Sequence, residues 1–167
     1  GNIYFDISHS SDRAQISPDG QFTAYVAGEG VGKSIYVKDN SGERAIEIFD
    51  GLANVSNLRW SPSGDEIFFS VSPINDSAPY NCIIPKLGGK TQQLKYIHGC
   101  WSPDGSLIAG IRFMEKSINL IKRETDEIVK TIKLSGDFAW LLDIDWSLND
   151  DKILFLTSDI ALEKYQI

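Results

Sequence analysis

Short apolar segments recur along the chain and are separated by polar turn sequences. Two of them, Ile67-Phe68-Phe69 and Ile153-Leu154-Phe155-Leu156, are continuous apolar runs that do not alternate with polar residues. Continuous runs of this length are typical of strands that are covered on both faces. No segment shows a helical period. The pattern therefore predicts an all-β protein whose sheets are stacked on one another.

The predicted strands fall into four groups with the same internal order. Each group has a second strand directly after a turn, and a third strand follows it. Three groups also have an outer strand that alternates and carries charges, as an exposed edge strand does. The strands after the turns are 22–27, 67–71, 107–112 and 153–157, the third strands are 34–38, 80–86, 117–122 and 162–167, and the outer strands are 45–49, 92–97 and 128–134.

A turn motif precedes each group and recurs with a period in the low forties. Its copies are Ile16-Ser17-Pro18-Asp19-Gly20, Trp60-Ser61-Pro62-Ser63-Gly64, Trp101-Ser102-Pro103-Asp104-Gly105 and the degraded Trp146-Ser147-Leu148-Asn149-Asp150. Serine, proline, aspartate and glycine suit the successive positions of a type I turn, because proline presets φ and glycine accepts a left-handed conformation. Four strands in a period of this length are typical of a β-propeller blade.

The repeat predicts that residues 1–167 form a single β-propeller domain or fragment of about four blades, with turns near 17–20, 61–64, 102–105 and 147–150. The large residues before the turns, Ile16, Trp60, Trp101 and Trp146, are predicted to pack between blades.

The blade pattern starts and stops out of phase with the chain. Segment 2–7 resembles an outer strand that precedes the first turn, and the last group ends after its third strand. Either the chain is part of a larger propeller, which we favour, or segment 2–7 completes the last blade and closes a small ring. Open blade ends would expose apolar faces, so we also expect a homo-oligomer.

The net charge argues against some classes of partner, and the start of the chain bears on targeting segments. The formal net charge is −7, which repels phosphate backbones and anionic lipid, so no direct nucleic-acid contact is expected from this segment. The chain begins Gly1-Asn2 and has neither a long apolar run nor a basic leader. We expect any targeting or membrane segment to lie outside it.

Motifs that would carry catalysis or bind a cofactor are incomplete. The segment from Gly28 to Ser34 resembles a phosphate loop, but its first required glycine is Ala27 and it leads into a strand where a phosphate loop needs a helix. No nucleophile elbow of the form Gly-x-Ser-x-Gly occurs. We therefore predict no catalytic residue, no cofactor and no enzyme activity.

The spacing of the potential metal ligands along the chain does not support a metal site either. His9 and His98 have no second ligand at metal spacing and are expected to be surface residues. An acidic cluster near the fourth turn is interpreted as a solvated turn in preference to a calcium site. Its members are Asp143, Asp145, Asp150 and Asp151.

Two cysteines remain, Cys82 in a third strand and Cys100 directly before Trp101. The hairpin between them would bring them together across a blade junction, and we favour a disulfide that stabilises the fold by about 3 kcal/mol. Such a bond would imply an oxidising compartment. The alternative is a pair of buried thiols.

The motif Trp-Ser-Pro-Asp-Gly, an apolar strand and then an Ile-Tyr-Val-type strand resemble the TolB-like family of WD-repeat-like propeller repeats. Segments 16–26 and 101–111 match best. The resemblance implies a non-catalytic module for sensing or protein interaction in a bacterium. Cys82, the Gly88-Gly89 turn and Cys100 are similar to the extracytoplasmic sensor of CadC-type membrane-bound transcriptional regulators, which we favour. The alternatives are a periplasmic TolB-like docking propeller and the gating propeller of a prolyl-oligopeptidase-like peptidase.

Loops between blade strands are the expected contact surface for a protein partner or small ligand. The candidate loops are 28–33, 72–79 and 136–140. Within the last, Trp140 is the candidate anchor, because a tryptophan supplies much contact area at an interface.

Overall fold

The structure, a computed structural model, describes residues 14–28, 32–51, 53–75, 77–94, 96, 98–111, 115–135, 141–147, 152–157 and 162–166. These residues form fifteen strands in four antiparallel sheets. The predicted all-β class and the four-stranded blade are confirmed, and the open sheets fit a partial propeller. No helix in the described part of the chain has the length and apolar character needed to cross a bilayer.

The four sheets follow one another along the chain, and within each sheet neighbouring strands are consecutive in sequence. Blade 1 contains β1 (Ala14–Ile16), β2 (Phe22–Ala27), β3 (Lys33–Asp39) and β4 (Ala45–Gly51). Blade 2 contains β5 (Ala53–Trp60), β6 (Glu66–Pro73), β7 (Tyr80–Pro85) and β8 (Gln92–Leu94). Blade 3 contains β9 (His98–Trp101), β10 (Leu107–Ile111), β11 (Ser117–Lys122) and β12 (Ile128–Lys133), and blade 4 contains β13 (Leu141–Trp146), β14 (Lys152–Thr157) and β15 (Leu162–Gln166).

The first three copies of the turn motif share one geometry. In the first, the N–H of Gly20 donates to the carbonyl of Ser17 at 2.9 Å, and Gly20 has φ of 72°. The serine side chain then closes the hairpin, because its Oγ accepts the N–H of Phe22 at 2.9 Å. Gly64 and Gly105 repeat the left-handed conformation with φ of 72° and 74°. The Ser-Pro-x-Gly sequence thus fixes where each first strand ends.

Blades 1 and 2 bury an apolar core between them. Blade 1 contributes residues such as Ile35 and Val37, and blade 2 contributes Ile67 and Phe69, all of which are almost fully buried. Alternate residues of the same strands point the other way, so Phe68 packs between blades 2 and 3. Strands covered on both faces explain the continuous apolar runs.

The blade 2–blade 3 junction and the blade 3–blade 4 junction have cores of their own. Phe68 and Ile83 of blade 2 meet Trp101 and Ile108 of blade 3. The opposite face of blade 3 packs on blade 4, where Ile153 is fully buried.

Charged side chains also join neighbouring blades at equivalent positions. Lys86 follows β7 and lies over the ring of Phe22 in blade 1, with Nζ 5.1 Å from the ring centroid. Arg123 follows β11 and forms a two-pronged ion pair with Glu66 in blade 2, in which its Nε lies 2.9 Å from Oε2. Blades 2 and 3 therefore each reach back to the strand that follows the turn of the blade before.

The predicted disulfide between Cys82 and Cys100 does not form, and both thiols are free and buried. Cys82 lies on the face of blade 2 that packs on blade 1, whereas Cys100 lies on the face of blade 3 that packs on blade 4. The core built around Phe68 and Trp101 separates them. The sequence placed both cysteines near one junction but could not give the faces, which alternate with each residue along a strand.

The prediction that Ile16 packs between blades is also wrong, because its side chain is 66% exposed. Trp60 and Trp101, at the equivalent positions, are 9% and 8% exposed because each packs against the preceding blade. Ile16 lies in the first blade, and no described residue provides a preceding blade to cover it.

Candidate functional site

The first strands of all four blades contribute to one groove at the end where the turns lie. The groove has a volume of about 590 Å³. We call it the turn-end groove. Its walls carry three indoles, three prolines and a few polar side chains, namely Trp60, Trp101, Trp146, Pro18, Pro62, Pro103, Gln15, Arg59 and Asp145, together with Ile16, Cys100 and Ser102.

The turn motif itself builds this lining. Each of the first three copies places a large residue at the end of a first strand and a proline two residues later, and the fourth strand adds Trp146 at the equivalent position. Prolines with fixed φ and tryptophans packed on a neighbouring blade lose little conformational freedom on binding. The groove is therefore a preformed apolar surface.

A bulge in β5 positions the one cationic side chain among the groove residues. The register of β5 on β6 shifts between Ser56 and Arg59, and Asn57 has φ of 54°. Asparagine tolerates this left-handed conformation better than most residues. Its Oδ1 accepts Nε of Arg59 at 2.9 Å, so the bulge holds the guanidinium in place.

Arg59 of blade 2 reaches two carboxylates of blade 4. Its Nη2 lies 3.5 Å from Oδ1 of Asp143, and its Nη1 lies 3.4 Å from Oδ1 of Asp145. The Arg59 side chain is 28% exposed, while those of Asp143 and Asp145 are 54% and 66% exposed. The acidic residues interpreted from sequence as a solvated turn are thus partners of an arginine from two blades away. Asp150 and Asp151 lie outside the described residues.

His98 on β9 lies close enough to Arg59 and Asp143 for their charges to affect its pKa. Burial lowers the pKa of His98 below its usual 6.5, Asp143 opposes that shift, and Arg59 adds to it. The imidazole is therefore neutral at pH 7, in a half-buried position that the sequence analysis had treated as ordinary surface. His9 lies outside the described residues.

The indole N–H groups of the groove differ in their partners. Trp60 Nε1 donates to the backbone carbonyl of Gln15 at 2.9 Å. Trp101 Nε1 is buried and has no hydrogen-bond partner. The equivalent of Gln15 for Trp101 is Arg59, which ends the bulged segment of β5. The same repeat position is thus satisfied at one junction and left open at the next.

Arg59 and Asn57 were not singled out from the sequence, and His98 was expected to be an ordinary surface residue. Arg59 stands directly before Trp60 and Asp145 directly before Trp146, so the repeat alignment did offer a signal that these side chains share a face. Nothing in the sequence indicated the bulge. Of the predicted contact loops, 136–140 with Trp140 lies outside the described residues, as do 29–31 and 76, while Ile74 of the second loop is 45% exposed.

Neither thiol is activated. Burial raises the pKa of Cys82 to about 11. Burial also raises the pKa of Cys100 far above its usual value, and the carboxylates of Asp145 and Asp143 add to that rise. The thiolate is the nucleophilic form, so neither cysteine is poised to attack a substrate at neutral pH.

Comparison with known proteins gives the fold and leaves the family open. No family model matches the sequence, and no curated protein matches it. Among solved structures, TolB from Acinetobacter baumannii is 18% identical with a TM-score of 0.63, covering 87% of this chain and 38% of that one.

Two further structures are as similar in shape. The Cps50 (Swd1) β-propeller domain from Myceliophteria thermophila is 13% identical with a TM-score of 0.65, covering 93% of this chain and 53% of that one. Hydrazine synthase from Kuenenia stuttgartiensis is 15% identical with a TM-score of 0.64, covering 92% and 58%. The chain therefore has a TolB-like and WD-repeat-like propeller fold and spans 38–58% of the lengths of these neighbours.

Proposed function

We propose that this chain is a non-catalytic, TolB-like propeller segment that docks a partner protein in the turn-end groove. The observation that carries the proposal is the meeting of Trp60, Trp101 and Trp146 in one opening, although more than forty residues separate each from the next. Tryptophan is enriched among the residues that dominate binding energy at protein interfaces.

The chemistry of the groove supports binding in preference to catalysis. Its thiol, Cys100, is buried and held protonated. Its cation, Arg59, already pairs with carboxylates, and the neutral His98 has no activated nucleophile beside it among the described residues. Fold likeness does not decide the matter by itself, since propellers occur in proteins of many functions.

The TolB-like fold is consistent with a docking propeller, and the sensor of a CadC-type regulator stays a prediction without a structural observation of its own. An extracytoplasmic location is likewise a proposal. The free thiols remove the disulfide as an argument for an oxidising compartment.

A selection of phage-displayed random dodecapeptides tests the docking proposal. Ile16→Ser alters an exposed residue of the groove, and Ile46→Ser alters a residue of the same blade that is 50% exposed on the outer strand. We expect enriched peptides whose affinity falls about tenfold in the first variant and stays unchanged in the second. Failure to enrich any peptide, or equal affinity for both variants, would contradict the proposal.

A further inference from the structure

Blade 1 has one face on which no blade of the described chain packs, and we call it the front face. Thr23 and Lys38 lie on it as a cross-strand pair, because the adjacent residues Ala24 and Val37 point the other way, into the core shared with blade 2. In blades 2 and 3 the equivalent face packs on the preceding blade. The front face is therefore the place where a further blade of the same repeat would stack.

The cross-strand pair on the front face differs from its equivalents in the other blades. Thr23 stands six residues after the turn serine, where every other blade has an isoleucine. Lys38 is half-buried and forms no ion pair with a residue that the structure describes. Covering its ammonium with another blade would remove it from water without a counterion, which is unfavourable. The equivalent pairs are wholly apolar and almost fully buried, namely Ile67 with Ile84 in blade 2 and Ile108 with Ile121 in blade 3.

The residue that joins neighbouring blades elsewhere stays within its own blade in blade 1. Asn40, Lys86 and Arg123 are equivalent, since the backbone N–H of each donates to the carbonyl of the fourth residue after a turn serine. Lys86 and Arg123 reach the preceding blade. Asn40 instead donates from Nδ2 to the carbonyl of Gly20 at 2.8 Å, and its Oδ1 accepts the hydroxyl of Thr23 at 2.7 Å. These polar groups of the front face are therefore satisfied without a preceding blade.

Hydroxyl groups and a carboxylate also replace hydrocarbon further along the front face. The rings of Tyr25 and Tyr36 stack with their centroids 5.6 Å apart, and the hydroxyl of Tyr36 donates to Glu47. At the position of Tyr25, blades 2 and 4 have Phe69 and Phe155, which are buried in the junctions. The front face thus departs from the junction pattern toward polar residues in each of its three central strands.

We propose that blade 1 is a terminal blade, whose front face is adapted to water and does not accept another blade of this repeat. End repeats of stacked proteins carry polar outer faces for the same reason, because an apolar end would recruit another copy. Blade 4 of one copy stacking on blade 1 of the next would be a head-to-tail contact, and such contacts produce open chains unless they close into a ring. The front face prevents this contact, so the homo-oligomer expected from open blade ends is restricted to the opposite end of the stack.

Sedimentation equilibrium of a double variant tests this inference. Thr23→Ile with Lys38→Ile installs the isoleucine pair of blades 2 and 3, and we expect an average mass that rises with concentration beyond that of a dimer. The wild type should not exceed a dimer. The matched control is Gln93→Ile with Lys130→Ile, which adds the same two side chains at exposed positions of outer strands and should sediment like the wild type. A folded Thr23→Ile/Lys38→Ile protein that sediments like the wild type, or equal association of the control, overturns the inference.

A measurement on the wild type alone keeps the inference testable if the double variant does not fold. Lysine acetylation, quantified by peptide mass spectrometry at low and high protein concentration, should modify Lys38 at the same rate in both. Lys130 on β12 is the internal reference. Slower acetylation of Lys38 but not of Lys130 at the high concentration would mean that a second copy covers the front face, and the inference would be wrong. A dimer in which Lys38 stays reactive supports it, and neither result depends on docking in the turn-end groove.

Discussion

The two junctions on either side of blade 2 are built from the same repeat but differ in chemistry. Between blades 1 and 2 the buried side chains are apolar, and the indole N–H of Trp60 is satisfied. Between blades 2 and 3, Asn81, Trp101 and Asn119 each bury a donor nitrogen without a partner. The second junction instead has the Arg123–Glu66 ion pair at its rim.

Glycines explain how the second junction closes around its larger groups. Gly110 faces the ring of Tyr96, where an added Cβ would come within 2.8 Å of Cγ. Gly99 faces the ring of Phe68, which an added Cβ would approach to 3.0 Å. Blade 3 therefore accommodates these aromatic rings with glycines that carry no side chain, whereas aromatic and aliphatic side chains interdigitate between blades 1 and 2. Side chains pack closely at both junctions. The buried polar groups of the second junction are less completely hydrogen-bonded than those of the first.

The largest expected effect comes from removing one of two adjacent phenylalanines of β6. Phe68→Ala and Phe69→Ala each delete a fully buried ring and should each lower the free energy of unfolding by about 3–5 kcal/mol. Hydrogen exchange should distinguish them, because Phe68 supports blade 3 and Phe69 supports blade 1. Loss of protection in the same strands for both variants would mean that the junctions are not separate units.

Breaking the ion pair at the second junction should have a smaller effect. Arg123→Met leaves Glu66, whose side chain is 27% exposed, without its guanidinium, and we expect a loss of about 2 kcal/mol in urea unfolding. The matched control is Lys122→Met, since Lys122 and its partner Glu127 are 53% and 62% exposed. That variant should lose less than about 0.5 kcal/mol. Equal losses would show that the Arg123 pair contributes no more than a surface pair.

Replacing one orphaned amide should stabilise the protein. Asn119→Leu removes a buried Nδ2 that has no partner, and the released Thr131 hydroxyl is exposed to water. We expect a gain of about 1 kcal/mol in urea unfolding. Asn81→Leu is the contrast, because it strands the buried hydroxyl of Ser70 and should destabilise. A loss in Asn119→Leu would show that the amide is satisfied in solution.

The smallest effect concerns the turns, which differ at one position. Ser102 donates to Asp104 at 2.7 Å, and this bond is the first cause that lowers the pKa of Asp104 below 3.8. The second turn has Ser63 there. Ser63→Asp should raise the Tm by about 1 °C at pH 7. A carboxyl whose pKa is lowered by folding stabilises the protein fully above 3.8, so the gain should decline as the pH falls through the lower pKa of the folded state. A gain as large at pH 3 as at pH 7 would contradict this explanation.

Strands, turns and fold class were predictable from sequence because each depends on neighbouring residues. The third strand predicted at 117–122 is Ser117–Lys122 in the structure, and the predicted strand at 22–27 is Phe22–Ala27. Proline fixes φ and glycine permits the left-handed φ that these turns need, and continuous apolar runs indicate burial on both faces. These signals need no knowledge of what lies across the junction.

Only the tertiary structure determined which face of its blade each side chain occupies. Cys82 and Cys100 are close in sequence and open onto different junctions, and Arg59 meets Asp145 across a distance of 86 residues in the chain. A single extra residue, at the Asn57 bulge, changes which way a strand presents its side chains. The sequence determined that blades form and where they turn, whereas the stacking of blades determined which residues meet, because alternation along a strand converts a one-residue shift into the opposite face.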